Sequence, residues 1–130
     1  MSEYMMILKH TEKGLVLEQK EYKGTLEELR DACGCDCVII YNAVAYLEET
    51  LPAINGWNDL LVVCDDDGKI KEKPATLPII KDGKIVDLFV GDLAFISADQ
   101  SSEGDDRGLS MVECLTLCAA FDSLRYLPKS

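Results

Sequence analysis

The stretch Lys81-Asp82-Gly83-Lys84-Ile85-Val86-Asp87-Leu88-Phe89-Val90-Gly91-Asp92-Leu93-Ala94-Phe95-Ile96-Ser97 decides the fold class. Asp82-Gly83 is a tight-turn signal, and the runs Ile85 to Val90 and Leu93 to Ser97 carry the β-branched and aromatic residues of strands. Gly91 stands between them, where a glycine inside a strand pattern predicts a bulge or a close backbone approach. Upstream, Leu60 to Cys64 reads as another strand, and Asp65-Asp66-Asp67-Gly68 reads as a hairpin turn leading into a strand around Lys69 to Lys71. Tyr4 to Lys9 and Gly14 to Tyr22 give a third hairpin around a polar stretch from His10 to Gly14.

Between these hairpins, Thr25-Leu26-Glu27-Glu28 is a capping box. The Thr25 hydroxyl can accept from the third backbone N–H while Glu28 reaches back, so a helix starts there and stops near Gly34. Leu26, Leu29 and Ala32 or Cys33 form its expected buried stripe. Cys37 to Tyr41 is a short interior strand. In the irregular stretch from Asn42 to Asp59, Val44, Leu47 and Leu51 can line one side of a short helix ended by Pro52. Residues 98–108 read as a flexible acidic linker, and Ser110-Met111-Val112-Glu113 opens a C-terminal helix over 110–124. Its segment Cys114 to Phe121 has no charge on any face, which predicts cover on most sides by its own sheet or by a second subunit. The expectation is a single α+β domain over 1–130. It is built from a mostly antiparallel sheet of hairpins, with one helix in the N-terminal half and one at the C-terminus.

Composition narrows function mainly by exclusion. The 130 residues are 48% hydrophobic and 28% charged, the balance of a chain with a packed core. No run approaches the ~20 apolar residues that span a bilayer, and the first residues lack the basic start of a secretory signal, so the reading places the protein in the cytoplasm, away from membranes. Its six cysteines are then expected to be reduced. A net charge of −11 repels phosphate backbones and anionic lipids, which argues against direct nucleic-acid binding and suits a partner with a basic surface.

No catalytic residue, metal ligand or cofactor is assigned. Cys33, Cys35 and Cys37 alternate rather than forming Cys-x-x-Cys pairs, and Cys114 and Cys118 read as small buried hydrophobes. His10, the one histidine, falls in a turn, where a base for a nucleophilic thiol is not expected. With Gly68 at the sixth position of a calcium loop, Val63 and Pro74 would stand at its first and twelfth positions, where carboxylates are required. The residues proposed to face a partner are Trp57, Asp65, Asp66, Asp67, Glu103, Asp105 and Asp106. If carboxylates gather on one face, they can imitate the phosphate spacing of a nucleic acid.

Five motifs in order resemble the uncharacterised family catalogued as domain of unknown function 3846, whose members come from bacteria, phages and mobile elements. They are Gly24-Thr25-Leu26-Glu27-Glu28-Leu29, Val62-Val63-Cys64-Asp65-Asp66-Asp67-Gly68-Lys69, Leu77-Pro78, Asp87-Leu88-Phe89-Val90-Gly91 and Gly108-Leu109-Ser110. Family members follow the Leu-Pro pair with one residue and then Asn-Arg, whereas here Ile79-Ile80-Lys81 follows; the Asn42 to Asp59 segment is also longer. The resemblance implies only an accessory protein of a phage or mobile element that acts by binding; together with the charge of −11 and the lack of a catalytic constellation, the expectation is a non-enzymatic protein that engages a basic host protein, in counter-defence or nucleic-acid mimicry. Two alternatives stand beside it. One is a small-molecule, nucleotide-like binding domain with a ligand loop at Leu77, Pro78 and Gly91; the other is a thiol or zinc-dependent protein. The helix 110–124, uncharged from Cys114 to Phe121, is the expected surface for a homodimer.

Overall fold

The computed structural model describes residues 3–12, 14–98 and 106–125. Its centre is an antiparallel sheet of β1 (Tyr4–Thr11), β2 (Gly14–Glu21), β3 (Val38–Asn42), β4 (Leu60–Asp65), β7 (Leu93–Ala98) and the short β8 (Asp106–Arg107). The order is β2-β1-β7-β4-β3, with β8 beside β7, and every pairing is antiparallel. A separate ribbon pairs β5 (Ala75–Lys81) with β6 (Lys84–Val90). The class is α+β, with mostly antiparallel strands.

The three inner strands are buried on both sides, which is why they read as unbroken apolar runs. Met5, Ile7, Val63, Ala94 and Ile96 face one way and are covered by α1 (Leu26–Cys33) through Leu29, Ala32 and Cys33. Met6, Leu8, Val62, Cys64, Leu93 and Phe95 face the other way. That side is roofed by the ribbon, by α2 (Ala43–Leu47), by a single helical turn at Pro52–Ile54 and by α3 (Met111–Arg125). Both sequence-read capping boxes form: the Glu28 N–H donates to Thr25 Oγ1 at 3.2 Å, and the Glu113 N–H donates to Ser110 Oγ at 3.2 Å. Gly34 closes α1 at φ 62°, a left-handed value that favours glycine.

Several local expectations change. Leu26 faces solvent rather than the core. Residues 69–71 form no strand, because β4 already has neighbours on both sides and the chain after it winds back through turns, with the Lys71 N–H donating to Asp67 O and the Lys73 N–H to Gly68 O. Pro52 opens a turn of helix instead of ending one. The end of the 98–108 segment is ordered: Asp106–Arg107 pairs with β7, and Tyr4 and Leu109 exchange backbone hydrogen bonds at 2.9 and 2.6 Å. Residues 99–105 lie outside the described residues.

Gly108 explains how closely these ends meet. A methyl group there would lie 2.6 Å from Glu3 Cβ and 2.9 Å from the Tyr4 backbone nitrogen, so one of two main chains would have to move. Gly108→Ala is therefore expected to lower stability by about 1–3 kcal/mol, read as a lower denaturant midpoint with an unchanged slope.

Among the described residues α3 is covered on one side only. Cys114, Leu117, Ala120 and Phe121 are buried, whereas Val112 and Leu115 are 72% and 62% exposed. The expected cover on most sides is not supplied by the sheet, because the neighbouring ribbon packs over β3 and β4 at its far end. No helix among the described residues is long and apolar enough to cross a membrane.

Candidate binding site

A cleft of about 440 Å³ opens where the ribbon leaves the sheet. Ile39, Tyr41 and Cys64 line it from β3 and β4, Tyr46 from α2, and Asp87 to Val90 from β6; Asp66, Lys69 and Ile70 stand at its mouth. Ile39 and Tyr41 reach it together because alternate strand residues share a face. Tyr41, Tyr46 and Phe89 pack edge to face, with centroids 5.0, 5.6 and 6.1 Å apart. That is the favoured arrangement for aromatic quadrupoles, and it stiffens one wall. Burial raises the Tyr41 phenol, and nearby Cys64 and Tyr46 add to the shift, so the hydroxyl stays protonated and able to donate. Lys69 is ion-paired with Asp87 at the rim.

Behind the mouth lies a fully enclosed carboxylate. The Asp65 side chain is 1% exposed and receives Lys73 Nζ at 2.8 Å and Lys71 Nζ at 3.0 Å, while its other oxygen accepts the Asp67 N–H at 2.9 Å. Burial alone would raise its pKa, but the bonds from Lys73, Asp67 and Lys71 outweigh that and bring it down to about 2. Lys73 also donates to Cys33 O at 3.0 Å and Gly34 O at 3.3 Å, which answers carbonyls at the end of α1. Its aliphatic stem rests on Gly91, at φ 76° in the β6–β7 turn; a methyl there would meet Lys73 Cδ at 2.8 Å. The expected close approach at Gly91 is real, but it serves a turn and a lysine stem rather than a ligand loop.

The other sequence-assigned residues separate. Asp65 faces inward, so it is withdrawn as a partner contact; its neighbours Asp66 and Asp67 are exposed. Trp57 is half-buried against the core beside a second, shallower depression of about 340 Å³ that Glu113 and Thr116 of α3 also line. Leu77 and Pro78 are strand residues of β5, not loop residues. They pair with Phe89 and Leu88, and Pro78 O accepts the Thr50 hydroxyl at 2.6 Å. Proline is tolerated because a two-stranded ribbon has an outer edge that needs no N–H. Glu103 and Asp105 lie outside the described residues, and the backbone of Asp106 belongs to β8.

Thiol chemistry gains no support. Burial, with Cys35 and Cys64 nearby, raises Cys33 to about 12, while burial and Asp65 raise Cys64 to about 11. Cys114 is also pushed up to about 11 by burial, and Cys35 is raised by burial and then by Asp65, so these sulfurs stay as thiols at neutral pH. Among the described residues no three His, Cys, Asp or Glu side chains gather to hold a metal. His10 is not in the turn but in β1, half-buried, with Nε2 at 2.7 Å from the Thr76 hydroxyl, which in turn donates to Gly91 O.

Sequence reasoning missed the aromatic wall, since Tyr46 and Phe89 come from elements that meet only in three dimensions. It also missed a charge asymmetry that was there to be read. From Asp31 to Gly68 the chain has no Lys, Arg or His, but it carries Asp31, Asp36, Glu48, Glu49, Asp59, Asp65, Asp66 and Asp67. This run supplies β3, α2, the Pro52–Ile54 turn and β4, which are neighbours at one end of the sheet. The Asp66 N–H donates to Cys37 O at 3.0 Å, which sets Asp66 beside the Asp36 end of β3. Searched against protein families, curated proteins and solved structures, the chain finds no match in any of them.

Proposed function

We propose that the protein acts by binding rather than catalysis, as an accessory protein of phage or mobile-element type whose acidic side engages a basic host protein. The observation that carries this reading is the run from Asp31 to Gly68, free of basic residues and folded into adjacent elements. Exposed carboxylates such as Asp36, Asp66 and Asp67 attract a cationic surface and speed its encounter. The raised Cys33, Cys35 and Cys64 thiols and the inward, fully bonded Asp65 are in keeping with a binding role at that end of the molecule.

The test compares Asp36→Asn/Asp66→Asn/Asp67→Asn with Glu12→Gln/Glu21→Gln, which removes charge from the opposite edge of the sheet. With a basic host-lysate fraction as the mobile phase, the first variant is expected to weaken low-salt retention roughly tenfold and the second to leave it nearly unchanged. Retention that ignores salt, or that both variants weaken equally, would defeat the reading.

The cleft favours a second reading, a small nucleotide-like ligand. Its volume lies in the range of ligand pockets, and Tyr41, Tyr46 and Phe89 offer an aromatic wall. A ligand at a hundred times its dissociation constant adds about 2.7 kcal/mol to stability, so melting curves with nucleosides and nucleotides decide it. Unmoved curves across that panel would discard the idea.

A further inference from the structure

We infer that β3 is the docking edge for the basic partner, which adds an extended, Lys- or Arg-bearing segment as a new strand alongside Val38–Asn42. The inference rests on the reading that the partner is basic.

A strand at a sheet edge offers a row of unpaired N–H and C=O groups, and proteins guard such edges with charge, proline or bulges. The two edges of this sheet are treated differently. β2, at one end, carries Glu18, Gln19, Lys20 and Glu21. β3, at the other, reads Val38-Ile39-Ile40-Tyr41-Asn42, with no charged residue and no proline, and its register with β4 runs unbroken from Val38–Asp65 to Asn42–Leu61. Among the described residues no strand pairs with its other side. An edge left this flat and apolar is a site for strand addition.

The surroundings say what kind of strand fits. Ile39 and Tyr41 face the cleft, while Ile40 is 42% exposed on the opposite face. Side chains of an added strand would alternate in the same way. One set would lie over the cleft mouth, where Tyr46 and Leu88 are partly exposed and Ile70 is 83% exposed. That mouth offers apolar and aromatic contacts beside the Lys69–Asp87 ion pair, whose aspartate already holds the lysine there. The exposed Asp36 precedes the strand, and Asp66 follows on its β4 side, so the carboxylate that a basic side chain at that end of the segment meets first is Asp36. A second copy of this chain would bring the same negative charge to the edge, and it is disfavoured for that reason.

The probe is a short synthetic peptide alternating Tyr or Val with Lys, titrated into the full chain at low salt. Expected are saturable binding, slowed amide exchange over residues 38–42 but not over 14–21, and a loss of about tenfold when alternate peptide amides are N-methylated. If the N-methylated peptide binds equally well and residues 38–42 gain no protection, charge alone holds the peptide. β3 docking is then wrong, while the basic-partner reading survives. If no lysine peptide binds, docking is likewise overturned, and the retention experiment above decides the partner reading separately. Concentration-dependent dimers that protect residues 38–42 without any peptide would assign the edge to a second copy and overturn the proposal.

Discussion

Asp65→Ala is expected to lower stability by about 3–5 kcal/mol, because it leaves the largely buried Lys73 ammonium without its counter-charge. It also removes the acceptor for the Asp67 N–H, so the turn after β4 loses its anchor together with its ion pair. Lys71 is exposed, and its replacement should matter little. A double variant, Asp65→Ala with Lys73→Met, should be less damaging than the two single losses added, since it leaves no uncompensated charge. A double variant as unstable as that sum would refute the coupling.

Acid should act on the same group. An unfolded aspartate titrates near 3.9, whereas folded Asp65 is held at about 2. Its stabilisation, about 2–3 kcal/mol, is therefore present above roughly pH 4 and is lost as the pH falls towards 2. Denaturant midpoints measured down that window should fall more steeply for the natural protein than for Asp65→Asn, which has no proton to gain there.

Phe95→Ala is expected to cost about 3–5 kcal/mol as well, by a different mechanism. Phe95 is 0% exposed in β7, opposite Met6 of β1 and Val62 of β4, and its ring meets Phe121 edge to face at 5.5 Å. Truncation opens a cavity that the surrounding strands cannot collapse to fill, and it removes the main aromatic contact between α3 and the sheet. Phe95→Leu should cost much less, and near-ultraviolet circular dichroism should report loosened packing around Phe121 in the alanine variant. Equal losses for the two substitutions would show that cavity size does not control the effect.

The sheet was legible where side-chain period and turn chemistry agree. The first hairpin, the Asp82-Gly83 turn and both capping boxes follow from local rules that tertiary contacts did not override. The stretch around Lys69 to Lys71 was misread because Asp65-Asp66-Asp67-Gly68 has the composition of a solvated turn, while its first residue is turned inward onto lysines six and eight positions later. Leu77-Pro78 reads as a ligand loop beside the family resemblance, and nothing local reveals that the pair lies in a strand of a two-stranded ribbon. The candidate site was the least legible part. Its wall joins Tyr41, Tyr46 and Phe89 from β3, α2 and β6, and no spacing in the chain announces that meeting.

Lys73 has a mechanical role as well as an electrostatic one. Its ammonium holds the last carbonyls of α1 on one side of the sheet and the Asp65 carboxylate on the other strand's end, while its stem lies on the turn that leads from the ribbon into β7. Lys73 thus adds a flexible tie to the apolar packing that already holds α1 on the sheet. Tension applied at the mouth of the cleft, where the 65–73 segment begins, would be passed through that tie to a helix that touches neither the cleft nor its occupant.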